Sequence, residues 1–397
     1  MTGTITANVD SVAGDVAFAG VVRQAQLIRQ AKVSSRELVE LYLERIGRLD
    51  PELNAFRTVM ADRALAAADE VDARRRDGDE RPLLGVPIAV KDSEDVAGEV
   101  TGWGSAGHGG PAARDNDFVS RLRAAGAVIL GKTNLPELAL LGVTEGPAFG
   151  VSRNPWNADR TPGGSSGGSG AAVAAGLCAA ATASDGGGSI RIPASCCGLV
   201  GVKPQRDRIS LAPRAEHWYG LSAAGFVTRR VADTALLVDV AAARPPEEPL
   251  AEEARIAPGK LRIALSFRPT FPTRVDRQVR SSVEAVAERL CALGHEVVDR
   301  DPRYGRALDT WTVRFLAGVD QDAARLPRPE RLQRRTRAFA RMGKRVPAIA
   351  LRRARRDEAR HAARLGEIFR HHDVLLTPTC ARLPLGAHPL PLRGVQR

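Results

Sequence analysis

A chain of 397 residues, 44% hydrophobic and 26% charged, can bury a large core, and no linker, low-complexity tract or internal repeat divides it. The net charge of +12 is confined to Arg325–Arg370, where 16 Lys or Arg face 4 Asp or Glu; with only Phe339 and Phe369 as aromatics, that stretch reads as a solvated helical surface and binding to nucleic acid is not expected. The five cysteines, Cys178, Cys196, Cys197, Cys291 and Cys380, are odd in number and without CxxC spacing, which argues against a disulfide or zinc framework and for reduced, mostly buried thiols in a cytoplasmic protein.

The opening MTGTITANVDSVAGDV lacks a basic segment followed by an apolar one, so no signal peptide is expected. Asp15–Gln30 reads as a first helix, and Ser34 with Glu37 forms a capping box that opens a second, Ser35–Leu49. Ala61–Arg76 makes a third helix, stopped at Asp77-Gly78. Val86–Lys91 follows as a buried strand, then a helix at Phe118–Ala125, a strand at Ala127–Gly131 and a short helix at Asn134–Leu141. Gly126–Thr133 (GAVILGKT) satisfies the P-loop pattern, but its four middle residues are a strand core with no room to cradle a phosphate. The run Ala171–Ala183 is too short and too weakly apolar to span a bilayer. Loops extend through Gly225, and Ala232–Ala242 is helical. Leu261–Phe267, Asp276–Leu293 and His295–Val298 form a strand–helix–strand unit. Helices fill Arg303–Gly318 and much of Glu330–His371, and Asp373–Thr379 is a last strand. Strands alternating with helices predict an α/β fold, a mixed or parallel sheet covered by helices on both faces.

The chemistry concentrates in Pro162–Pro193, PGGSSGGSGAAVAAGLCAAATASDGGGSIRIP. Two glycine–serine clusters flank an alanine-rich helix candidate, Ala171–Gly176, and a buried strand candidate, Cys178–Ala183. A helix of about 11 residues advances roughly 16 Å and a strand of about six returns roughly 20 Å, so Ser165 and Ser189 can meet at one sheet edge. Glycines let successive N–H groups point at a developing oxyanion. Two serines beside such donors suggest covalent acyl transfer, with a base still to be found. Gly163–Gly167 also matches GxSxG, and His108–Gly110 imitates a lipase oxyanion motif; the polar, turn-rich Asn154–Thr161 is no strand, so a nucleophile elbow is excluded. The seven histidines are scattered without HExxH spacing or a placeable carboxylate partner, and read as surface or satisfied residues.

From Gly163 to Pro193 the stretch resembles, without a break, the signature of the amidase signature family of serine hydrolases. The resemblance implies a Ser–cis-Ser–Lys triad: Ser189 as nucleophile, Ser165 as the bridging serine after a cis peptide, and Lys91, from Leu84–Asp92 (LGVPIAVKD), as base. Lysine is ordinarily charged below a pKa of about 10.4, so Lys91 must be discharged by burial to serve. Gly186, Gly187 and Gly188 are implied as oxyanion donors, Asp185 and Arg191 as supports of that loop, and Ser166 as part of the same network; no metal or cofactor is needed. The family usually has threonine where Gly186 stands. The resemblance runs from about residue 15 to Thr379, whereas family members continue with a helical segment and further strands. Residues 1–382 are therefore expected as a single domain lacking its C-terminal strands, with an exposed apolar edge near Asp373–Thr379 and an irregular tail at 383–397. The implied activity is hydrolysis of a small-molecule, non-peptide carboxamide, away from any membrane, with a homodimer left open. The alternatives are a glutaminase-type subunit of a tRNA-dependent amidotransferase and a truncated, non-catalytic protein.

Overall fold

A local capping signal starts the second helix where expected, whereas a tertiary contact breaks the first. A computed structural model describes residues 16–388, so the N-terminal segment, the Asp15 start of the first helix and residues 389–397 of the tail lie outside the described residues. Gly20, at φ 82°, separates the expected first helix from α1 (Val21–Arg29). The cause is Asp233, whose carboxylate accepts the Val22 N–H at 2.9 Å and fills the space a Cβ on Gly20 would need. Before α2 (Ser35–Leu53), the Ser34 hydroxyl accepts the Glu37 N–H at 3.0 Å while the Glu37 carboxylate accepts the Ser34 N–H at 2.7 Å. The helix passes through Pro51 and closes at Asn54 in the left-handed region, four residues beyond the expected end.

Contacts divide the chain into two compact units, Met1–Arg255 with Asp322–Ala338 and Pro384–Arg397, and Ile256–Gln321 with Phe339–Leu383. In the first, β1 (Phe56–Val59) is followed by α3 (Ala61–Arg76), β2 (Pro87–Lys91), α4 (Asp117–Ala124) and β3 (Val128–Thr133). A two-stranded ribbon, β4 (Glu145–Gly146) and β5 (Gly150–Val151), precedes α5 (Gly167–Ala174) and β6 (Ala180–Asp185). Next come α6 (Arg191–Cys197), β7 (Val200–Val202), β8 (Ala223–Thr228), α7 (Val231–Ala241) and α8 (Leu250–Glu253). The six-stranded sheet runs β1-β3-β2-β6-β8-β7. Its centre, β3-β2-β6, is parallel, while β1 pairs antiparallel with β3 and β8 antiparallel with both β6 and β7. Every residue of β2, β3 and β8 is buried, so helices cover both faces, as the near-continuous apolar runs PIAVK and VILGKT require.

Two expectations in this region are corrected. The stretch assigned to loops before Gly225 contains α6, β7 and the start of β8. The sequence of β8, AAGFVT, opens on small residues that carry little strand preference, and it becomes a strand by pairing antiparallel with β6, AATASD. The expected helix Asn134–Leu141 shrinks to a single 3₁₀ turn, Glu137–Ala139, in which Leu138 takes φ 51°. Long-range bonds win there: the Trp103 carbonyl accepts the Leu138 N–H at 2.8 Å and the Glu137 carboxylate accepts the Ser105 hydroxyl at 2.8 Å.

The second unit holds a parallel three-stranded sheet, β10-β9-β11, of β9 (Arg262–Leu265), β10 (Glu296–Asp299) and β11 (Val374–Leu376), with α9 (Arg277–Ala292) between the first two strands. α10 (Ala307–Arg325) follows, its last residues from Asp322 onward belonging to the first unit, then α11 (Arg334–Lys344), which belongs to the second unit from Phe339, α12 (Ala348–Arg356) and α13 (Glu358–Gly366), so the expected long helical run is segmented, with Pro347 opening α12. Among the described residues β11 bonds to β9 alone, and its first residue, Val374, is 40% exposed. Leu383–His388 has no helix or strand; Gly386 forms one bridge to Arg160 within the first unit. No helix among the described residues is long and apolar enough to cross a membrane.

Candidate active site

Lys91 closes β2 in a fully buried position. Its backbone N–H donates to Thr182 Oγ1 at 2.8 Å, and its Nζ lies 2.8 Å from Ser165 Oγ and 2.9 Å from Ser184 Oγ. Burial lowers its pKa to about 7, against the opposing pull of Glu94 and Asp185, so near neutral pH a large fraction of the side chain is a free amine. Ser184 was not singled out from sequence. The signal was there: hydroxyls at Thr182 and Ser184 recur with the period of two that puts both on one face of β6.

Ser165 follows a cis peptide bond from Gly164 and leads into α5. That helix starts hard against the neighbouring chain, since a Cβ on Gly168 would collide with the Asn134 and Ala55 main chain. The Ser166 N–H donates to the Ser189 carbonyl at 3.2 Å, which ties the two glycine–serine loops together. The Ser166 hydroxyl reaches the Ser184 carbonyl only at 3.5 Å. Ser189 itself is partly open to solvent, beside the exposed Gly187.

Asp185, buried at the end of β6, organises this loop. Its carboxylate accepts the Gly188 N–H at 2.6 Å, the Ile190 N–H at 3.2 Å, and Arg191 Nε and Nη2 at 2.9 Å each. Burial pushes the carboxyl up, but the Arg191 guanidinium and the two N–H donors outweigh it and hold it below its ordinary value. Asp185 and Arg191 form a bidentate pair. One expectation is corrected, because the Gly188 N–H is donated to Asp185 and so leaves the set of oxyanion donors. At Gly186, a Cβ would fall 2.7 Å from Trp218 Cε3 and 2.9 Å from Ser222 Oγ, so a threonine has no room there.

The P-loop-like segment ends in structural work. Lys132, on the strand beside Lys91, is fully buried, paired with Asp92 at 2.9 Å and bonded to the Val100 carbonyl and Thr101 Oγ1, both at 2.9 Å. Arg57 reaches the same carboxylate at 3.1 Å. The cysteines were expected to be mostly buried; Cys178 and Cys197 are buried, Cys196 and Cys380 are partly so, and Cys291 on α9 is exposed. His217 has the carboxylate partner that sequence could not place: its Nε2 lies 2.8 Å from Asp322 Oδ2. A cavity of about 380 Å³ opens alongside, with Thr101, Trp103, Leu138, Arg214, Asp322 and Arg325 in its lining. Its wall begins next to Lys91, since the Trp103 N–H donates to the carbonyl of the adjoining Asp92 at 3.0 Å.

A buried, discharged amine against a serine hydroxyl, a second serine half open to solvent and a glycine loop together allow nucleophilic acyl transfer. Residues 37–390 match the family model described as Amidase. A Mycobacterium tuberculosis (strain ATCC 25618 / H37Rv) protein named as an amidase, AmiB2, is 50% identical over 380 residues, which cover 94% of this chain and 82% of that one. The structure of a 6-aminohexanoate cyclic dimer hydrolase is similar with a TM-score of 0.83 at 30% identity, covering 90% of this chain and 78% of that one. A bacterial aryl acylamidase of the amidase signature enzymes shares the fold, with a TM-score of 0.86 at 24% identity over 94% of this chain and 82% of its own.

Proposed function

The chain belongs to the amidase signature family and is a carboxamide hydrolase, and from that premise we propose that it cleaves a non-peptide amide through an acyl-enzyme on Ser189, with Ser165 and Lys91 as the proton relay. The observation that carries this reading is the 2.8 Å approach of Lys91 Nζ to Ser165 Oγ in a fully buried setting that discharges the amine. Neutral Lys91 takes the Ser165 proton as Ser165 takes that of Ser189, and Ser189 Oγ attacks the amide carbonyl. The carbonyl oxygen becomes an oxyanion facing the main chain of the Gly186–Ser189 loop; each well-aimed N–H there lowers the barrier by about 3 kcal/mol. On collapse the proton returns through Ser165 to the leaving nitrogen, which departs as amine or ammonia. A water molecule then follows the same route and releases the acid. No step requires a cofactor. The unbridged cysteines, with Cys178 and Cys197 buried, support a cytoplasmic setting.

An active-site-directed fluorophosphonate tests this directly. The parent chain should become covalently labelled and turn over simple amides, and Ser189→Ala should abolish both while retaining the parent's circular dichroism. Near-full activity of Ser189→Ala would remove the assignment. An unlabelled parent would favour a non-catalytic protein.

A further inference from the structure

Asp322 stands far along the chain from the triad, yet its carboxylate is the hub of a buried wall behind the oxyanion loop. Oδ2 accepts the Trp218 Nε1–H at 2.8 Å and lies 2.8 Å from His217 Nε2. The network continues from His217 Nδ1, which lies 2.7 Å from Ser222 Oγ. The His217 and Trp218 rings stack, with centroids 5.0 Å apart and planes at 27°. All four side chains are buried. Arg214 at 3.7 Å and Arg325 at 3.8 Å face the other oxygen, Oδ1, and balance the charge.

The wall meets the loop at Gly186. Trp218 Cε3 and Ser222 Oγ sit 2.7 and 2.9 Å from where its Cβ would be. Gly186 is not among the residues with positive φ, so space rather than backbone conformation demands a glycine here. The wall is itself strained, because Trp218 and Tyr219 lie one after the other in the left-handed region at φ 49° and 54°. Bulky residues persist there only where their surroundings over-determine them, and such strain gathers at functional sites. The bonds from Asp322 to both the Trp218 ring and its stacked neighbour supply that hold.

We propose that Asp322 is a positioning residue for amide hydrolysis, holding the Gly186 main chain in register with Ser189 through Trp218 on one branch and His217–Ser222 on the other. The proposal rests on the Ser189 acyl-enzyme reading. It assigns Asp322 no contact with substrate: its effect passes through a close-packed wall to the point where negative charge develops.

The test uses the full chain and compares Asp322→Ala, Asp322→Asn and Trp218→Phe with the parent. The readouts are the second-order rate of fluorophosphonate labelling, the rates on 4-nitrophenyl acetate and its thiono analogue, and the thermal midpoint. Asp322→Ala should label about 10- to 100-fold more slowly, less than the full loss of a donor because the loop is loosened and not removed. The preference for the oxygen over the sulfur ester should shrink, since a slack oxyanion site no longer excludes the larger atom. Asp322→Asn keeps an oxygen for both N–H donors and should stay within about threefold of the parent. Trp218→Phe removes the indole N–H together with one ring of the bicycle, which breaks the same branch at its other end, and covers the case in which Asp322→Ala does not fold. A labelled parent with equally fast Asp322→Ala and Trp218→Phe overturns the positioning role alone. So does a loss of rate that follows the thermal midpoint with the oxygen-to-sulfur preference unchanged. A parent that fails to label removes the Ser189 reading, and this role with it.

Discussion

Replacing Lys91 by methionine should abolish activity and make the protein more stable, and the gain should depend on pH in a defined way. Burial lowers the Lys91 pKa from 10.5 to about 7. Below the folded value both folded and unfolded chains carry the ammonium, and the fold bears the full desolvation of the charge. At about 1.36 kcal/mol per unit this is on the order of 5 kcal/mol. Between pH 7 and 10.5 the folded lysine is neutral while the unfolded one still binds a proton, so stability rises with pH and the penalty fades. The same relation leaves nearly all of that penalty at pH 6 and roughly a third of it or less at pH 9.5. Methionine fills a similar volume and carries no charge. It leaves Ser165 and Ser184 without their nitrogen partner, a loss that is the same at both pH values and cancels when they are compared. Urea denaturation of parent and variant at pH 6 and 9.5 measures this, and the variant's advantage should be larger at pH 6 by about 3 kcal/mol. An equal difference at the two pH values would show that Lys91 is not held against a depressed pKa, and the relay would lose its base.

The parent's kcat/KM should rise with pH through about 7 and then level off, since discharging Lys91 creates the base; a profile flat from pH 6 to 9, with chemistry rate-limiting, would contradict a lysine base. Gly186→Ala places a methyl 2.7 Å from the Trp218 ring, which should destabilise the fold by about 1–3 kcal/mol and lower kcat by at least about tenfold; an unchanged kcat and melting temperature would mean that the wall is slack. Ser184→Ala removes one of the two hydroxyls within 2.9 Å of Lys91 Nζ, a loss of about 1 kcal/mol that should reduce kcat/KM less than tenfold; a collapse comparable to Ser165→Ala would place Ser184 in the relay itself.

The chain itself carries what is local and linear. Lys91 closes an apolar run, Ser165 and Ser189 sit in glycine clusters at a spacing that a helix and a strand convert into proximity, and Ala61–Arg76 is a helix over its predicted residues, its end marked nearby by Asp77-Gly78. The mixed sheet followed from strands alternating with helices, but β8 did not, since its opening Ala-Ala-Gly carries little strand preference and is fixed by pairing with β6. What tertiary structure decided is which polar groups find each other. Asp185 claims the Gly188 N–H, Asp233 interrupts the first helix at Gly20, and Asp322 meets His217 across 105 positions. A hydrogen bond reaches about 3 Å, whereas no local pattern registers a partner that far along the chain. Gly186 shows the division in one residue: the sequence marks it as a departure from the usual threonine, and only the packed Trp218 ring supplies the reason.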